Sequence, residues 1–157
     1  MGVIKLNLVV RAPIDELFKM AQDVERTPKY MSALRNLKVL ERCPKGSFVR
    51  CEWTAQAKFL SATRDMVWIQ EDRWDKKDHV CRFRLLKSKD MKKLDGEWWF
   101  VPHDKGTEMK FEVDFRVNHP LMTNTIHRLL DQVMRKNNQS MLMGLKKDAE
   151  QKFWEKW

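Results

Sequence analysis

Between Leu37 and Val117 apolar residues recur at every second position, and after Pro120 the repeat switches to the three-and-four spacing of a helix that runs nearly to the C-terminus. That order is restrictive. A run of antiparallel strands has one apolar face to cover, and the terminal helix is the only element long enough to cover it.

The alternation is interrupted at Cys43–Gly46, Asp75–Asp78, Ser88–Asp90 and His103–Gly106, where Pro, Gly, Asp and Ser supply turn chemistry. This predicts about six strands. A further strand lies at the N-terminus, where Ile4, Leu6, Leu8 and Val10 alternate with polar residues. Pro13 opens a short helix with Asp15 and Glu16 in its first turn, and Ile14, Leu17, Phe18, Ala21 and Val24 form its apolar stripe. Pro28 is expected to stop that helix, with a second short helical piece over Tyr30–Asn36. The fold class expected is α+β, with a curved antiparallel sheet of about seven strands wrapped around a long C-terminal helix.

No Pro/Gly/Ser-rich linker divides the chain, so residues 1–157 are expected to form one domain. No apolar run reaches the roughly 18 residues a membrane span needs, and the N-terminus alternates where a signal peptide would be continuously apolar. Cys43, Cys51 and Cys81 are odd in number and form no CxxC pair, which fits a reducing cytoplasm and argues against a disulfide framework.

The sheet period separates the two faces. Val49, Cys51, Trp53, Ala55 and Ala57 share one side with Met66, Trp68, Gln70, Asp72 and Trp74. So do Cys81, Phe83 and Leu85, then Trp98 and Phe100, then Phe111 and Phe115. Arg50, Glu52, Arg82, Arg84 and Glu112 fall on the other side, which is therefore the wet one. The helix places Leu130, Met134, Met141, Leu142 and Leu145 on its inner stripe, with Ile126 before them and Asn137 among them. Seven Trp and ten Met against one Tyr supply large, soft apolar volume that can fill a core or line an adaptable pocket. Taken together, the expected ligand-binding set is Trp53, Met66, Trp68, Gln70, Asp72, Phe83, Trp98, Phe100, Phe111, Phe115, Met134, Asn137 and Met141. An apolar lining with a few polar fixtures is the usual composition of a small-molecule site.

Val10-Arg-Ala-Pro-Ile-Asp-Glu-Leu-Phe18, Asp23-Val-Glu-Arg-Thr-Pro-Lys-Tyr-Met31, Lys38-Val-Leu-Glu41 and Leu94-Asp-Gly-Glu-Trp-Trp-Phe100 resemble the START-like (SRPBCC) superfamily. Within it they are most similar to the polyketide cyclase/dehydrase and coenzyme-Q-binding branch. The resemblance implies a helix-grip fold with a cavity between sheet and terminal helix. It also implies three roles: binding of a lipid, quinone or polyketide-like molecule, aromatase/cyclase catalysis, or a ribosome-associated toxin-like function.

Catalytic members of the superfamily carry a Trp-x-Ser-x-Arg strand and a Tyr in the short helix. The matching stretch here is Trp68-Ile-Gln70-Glu-Asp72, and the helical position aligns with Leu34. If the chain is an enzyme, Asp72 and Gln70 are the candidate catalytic groups, although Asp72 could instead pair with Arg64 or Arg73 at the rim. His79, His103, His119 and His127 have no metal-ligand spacing, and no glycine-rich phosphate loop occurs, so neither metal nor cofactor is expected. The net charge of +9 admits contact with RNA or the ribosome through a basic stripe of Arg82, Arg84, Lys87, Lys89, Lys92 and Lys93.

Overall fold

The computed structural model describes residues 2–59, 62–118 and 124–153. The turn expected at His119–Pro120, the aromatic tail from Trp154 to Trp157, and the side chains of Ala57 and Ile126 lie outside the described residues.

Seven strands form one antiparallel sheet: β1 (Gly2–Val10), β2 (Leu34–Arg42), β3 (Phe48–Phe59), β4 (Ala62–Asp75), β5 (Val80–Lys87), β6 (Met91–His103) and β7 (Gly106–Val117). Their order is β1-β7-β6-β5-β4-β3-β2. Helices α1 (Ile14–Gln22) and α2 (Thr27–Tyr30) follow β1, and α3 (Asn124–Phe153) closes the described chain. At ~1.5 Å per residue, its 30 residues span about 45 Å. This is the helix-grip α+β architecture that the resemblance implies, and the switch of period accounts for its sheet and its long terminal helix.

The inward positions of the sheet make a continuous apolar core with α1 and the C-terminal half of α3. Gly96 lies on β6 where no side chain fits: a Cβ there would stand 2.0 Å from the Glu112 carbonyl and 2.8 Å from the Phe83 ring. The two helices after β1 differ from expectation. Helix α1 ends at Gln22 without help from proline, and Pro28 sits in the first turn of α2, where its missing N–H has no partner to lose. Residues 34–36 belong to β2, so Leu34 is a buried strand residue and not a helical one.

Helix α3 is held mainly by its C-terminal half. Met141, Leu142, Leu145, Ala149 and Phe153 are buried there, whereas Leu130 is the one residue buried among those described before Met141. Polar clasps act on the same half. Tyr30 donates its hydroxyl to Asp148 Oδ2 at 2.6 Å, Ser140 donates to the Tyr30 carbonyl at 2.6 Å, and Lys146 donates to the Val9 carbonyl at 3.0 Å. The N-terminal half of α3 stands over a cavity.

Candidate functional site

Strand β4 runs through the middle of that cavity wall and turns three polar side chains inward in succession. Trp68 donates its Nε1 to Gln70 Oε1 at 3.0 Å, and Gln70 donates its Nε2 to Asp72 Oδ1 at 2.8 Å. The spacing of two along a strand brings them onto one face and within reach of one another.

Asp72 is 6% exposed. Burial disfavours its ionised form, the Gln70 hydrogen bond opposes that, and the nearby Glu71 charge adds to it, so its pKa is pushed up to about 6. Neither arginine considered as its partner is used. Arg73 lies on the opposite face of β4 and pairs with Glu71, and Arg64, eight residues along the strand, pairs with Asp90. Cys81 also faces the cavity, with its thiol raised well above the ordinary value by burial and the Asp72 charge. It is thus held protonated and is a poor nucleophile.

Aromatic side chains surround this polar ladder. Trp53 stacks on Trp68 at 5.7 Å, Phe83 stacks on Phe111 at 5.5 Å, and Trp98 meets the Phe111 ring edge-on at 6.0 Å. With Met66 on β4 and Met134, Asn137 and Met141 on α3, they enclose about 100 Å³. Eleven residues of the expected binding set therefore line the cavity: Trp53, Met66, Trp68, Gln70, Asp72, Phe83, Trp98, Phe111, Met134, Asn137 and Met141. Phe100 and Phe115 are inward-facing but lie outside it. Phe100 packs edge-on against Phe18 of α1 at 5.3 Å, and Phe115 lies against the backbone at Gly2.

Trp74, Met31, Met91, Leu94 and Val133 line the cavity without having been singled out as binding residues. The alternation that selected Trp68 and Asp72 also placed Trp74 on this face. Trp74 carries an unusual feature: its Nε1 and those of Trp53 and Trp98 are buried with no acceptor among the described residues. Three hydrogen-bond donors thus belong to side chains on one cavity wall.

The remaining candidates disperse. Among the described residues no group of three or more His, Cys, Asp or Glu converges as a metal site. His79 pairs with Asp15, His103 lies beside Asp104, His127 has a buried Nε2 without a partner among the described residues, and His119 is outside them. The single tyrosine, Tyr30, occupies the short helix, but it reaches Asp148 on the far side of α3 and does not line the cavity. On the outer face, Arg82 and Arg84 are engaged by Glu97 and Glu71, and Lys93 by Asp114. No helix among the described residues is long and apolar enough to cross a membrane.

A family model described as polyketide cyclase / dehydrase and lipid transport matches residues 10–142. The chain belongs to that family. The polyketide cyclase/dehydrase match spans β2 to β7 and α3 as far as Leu142, and so takes in every residue named above as lining the cavity. The fold is similar to that of TTHA0849 from Thermus thermophilus, with a TM-score of 0.84 at 24% identity over 94% of this chain and 97% of that one. It is also similar to the Zhui aromatase/cyclase from a Streptomyces species, with a TM-score of 0.80 at 17% identity, covering 95% and 93%. A START superfamily protein from Mycobacterium smegmatis gives a TM-score of 0.73 at 14% identity, covering 95% and 97%. A search of curated protein sequences finds no significant match. The START-like fold read from the sequence is thereby confirmed.

Proposed function

We propose that this polyketide cyclase/dehydrase family member binds an apolar small molecule bearing oxygen acceptors in the cavity between the sheet and α3. The observation that carries this reading is the set of buried indole N–H groups of Trp53, Trp74 and Trp98 without acceptors among the described residues. A buried donor left unpaired costs about 1–3 kcal/mol, and these three belong to side chains that line the cavity, so a guest that brings an oxygen against them relieves that cost. Lipids, quinones and polyketide-like molecules all present carbonyl, ether or hydroxyl oxygens on an apolar frame. The cavity of about 100 Å³ is smaller than the ~150 Å³ that accommodates benzene, so a larger guest displaces the thinly anchored N-terminal half of α3.

Acetophenone and ethylbenzene match in shape and differ in one carbonyl, so calorimetric titration with each tests the reading. Acetophenone should bind about 3–10-fold more tightly, the equivalent of one net hydrogen bond. Trp98→Phe, which keeps a ring and removes the N–H, should narrow the difference. Equal affinities in the wild-type protein would remove the role assigned to the indoles.

Asp72 favours a second reading, a cyclase or dehydrase. A carboxyl with pKa about 6 inside an apolar cavity can take or give a proton near neutral pH, with Gln70 fixing its orientation. Asp72→Asn decides between the two. A passive site retains binding of apolar carbonyl compounds, whereas a hundredfold loss of turnover at unchanged binding identifies general acid–base catalysis.

A further inference from the structure

The sheet is continuous from β1 to β2 but not along the whole length of each strand pair. Pairing of β5 with β6 runs from Val80↔Trp99 to Arg84↔Asp95 and stops. Beyond it β5 continues to Lys87 on β4, and β6 begins at Met91 on β7. Each of those flanking ladders has a register shift at this level, leaving Leu86 unmatched on one side of the gap and Lys92 on the other.

The separation is built by the turn between the two strands. Asp90, 2% exposed, accepts from the Val67 backbone N–H at 2.9 Å and from Arg64 at 2.7 Å, while Ser88 donates to the Val67 carbonyl at 2.7 Å. Side chains of the turn thus occupy Val67 of β4, drawing the end of β5 toward β4 and away from β6. Asn118 fastens the other side through its N–H to the Asp90 carbonyl and its amide to the Lys89 carbonyl.

The gap opens outward as a cleft lined by Arg84, Leu86, Lys87, Lys92 and Lys93, with Asp95 as its acid. Met91 and Leu94 line both this cleft and the inner cavity, so the partition between them is one layer of side chains. Leu86 is 41% exposed at the mouth. Arg84 is held by Glu71, and Lys93 by Asp114 at 2.8 Å and Asp95 at 3.9 Å. Lys87 and Lys92 have no ion pair among the described residues, and they supply the uncompensated charge.

We propose that the gap between β5 and β6 is a side mouth of the cavity, where a ligand lies with its apolar body inside and its anionic end on Lys87 and Lys92. This rests on the cavity-binding reading and adds to it the chemistry of the ligand's outer end: a carboxylate or phosphate on an apolar chain. Long-range attraction also favours capture of such a molecule at a basic mouth.

Decanoate and decanol share a chain and differ in charge, and calorimetric titration with each at 20 mM and 500 mM NaCl tests the proposal. Decanoate should bind more tightly at low salt, and the advantage should shrink at high salt as the charges are screened. Lys87→Gln/Lys92→Gln should weaken decanoate about 5–10-fold and leave decanol unchanged, since neither residue lines the inner cavity. In amide NMR spectra decanoate should shift Leu86, Lys87 and Lys92 more than decanol does. If the two bind alike, if the double variant leaves decanoate unaffected, or if the shifts cluster elsewhere, the side mouth is overturned while the cavity reading stands. If neither binds while acetophenone does, the side mouth is overturned and the cavity reading stands; if none of the three binds, the cavity reading fails and this inference falls with it.

Discussion

Glu71 and Asp72 are consecutive, both are buried, and their carboxyls titrate in opposite directions because β4 points them to opposite faces of the sheet. Asp72 looks into the aromatic cavity with Gln70 as its hydrogen-bond partner. Glu71 looks outward, where Arg50, Arg73 and Arg84 converge on its two oxygens at 2.9, 3.1 and 3.1 Å. Burial pulls the Glu71 pKa upward, but hydrogen bonds from the three guanidiniums outweigh it and hold the carboxyl below its ordinary range.

Asp72 makes stability fall with rising pH. Its folded pKa of about 6 exceeds the ordinary 3.8, so between roughly pH 4 and 6 the unfolded chain gives up this proton first and the folded state loses ground. Asp72→Asn abolishes that dependence. Urea denaturation should show the variant gaining about 2–3 kcal/mol relative to wild type on going from pH 4 to pH 8. A constant difference between the two proteins across that range would contradict the raised pKa.

Glu71 works in the opposite sense. Its depressed pKa contributes stability that is complete above the unfolded carboxyl pKa and is lost as pH falls through the lower folded value. Glu71→Gln should destabilise the protein at pH 7 by about 1–3 kcal/mol, because three partly exposed guanidiniums lose a charged acceptor. As pH falls through that lowered folded value, the gap between variant and wild type should close.

Gly96 is required by space and not by backbone conformation. Its position on β6 lies beneath the Phe83 ring and against the Glu112 carbonyl. Gly96→Ala should cost about 1–3 kcal/mol through overpacking, read as a lowered thermal midpoint. A midpoint unchanged within a degree would show that β6 and β7 can part locally at no cost.

Much of the fold was legible because period two and period 3.6 are carried by different residues: the alternation from Trp53 through Phe115, then the stripe at Leu130, Met141, Leu142 and Leu145. The same alternation put Gln70 and Asp72 together. It could not separate the cavity wall from the filled core along a single face. Phe100 and Trp98 lie on the same strand and face, and only the packing of Phe18 from α1 makes Phe100 core. Pro28 misled because proline both ends helices and starts them, and the local sequence around Thr27 admits either. The Glu71 cluster was hidden because its arginines come from three strands, and the gap after Arg84 was hidden because it depends on Ser88 and Asp90 hydrogen-bonding to Val67 of another strand.

In the proposed function the indoles of Trp53, Trp74 and Trp98 donate to a guest inside the cavity. Proton–nitrogen correlation spectra of the uniformly labelled protein resolve the indole N–H groups, assigned by single Trp→Phe replacements, and can be followed during titration with acetophenone and then ethylbenzene. Acetophenone should move one or more of these three signals downfield, as a new hydrogen bond does, and ethylbenzene should leave them near their starting positions. Signals unmoved by acetophenone at saturation, or moved equally by both compounds, would contradict the claim.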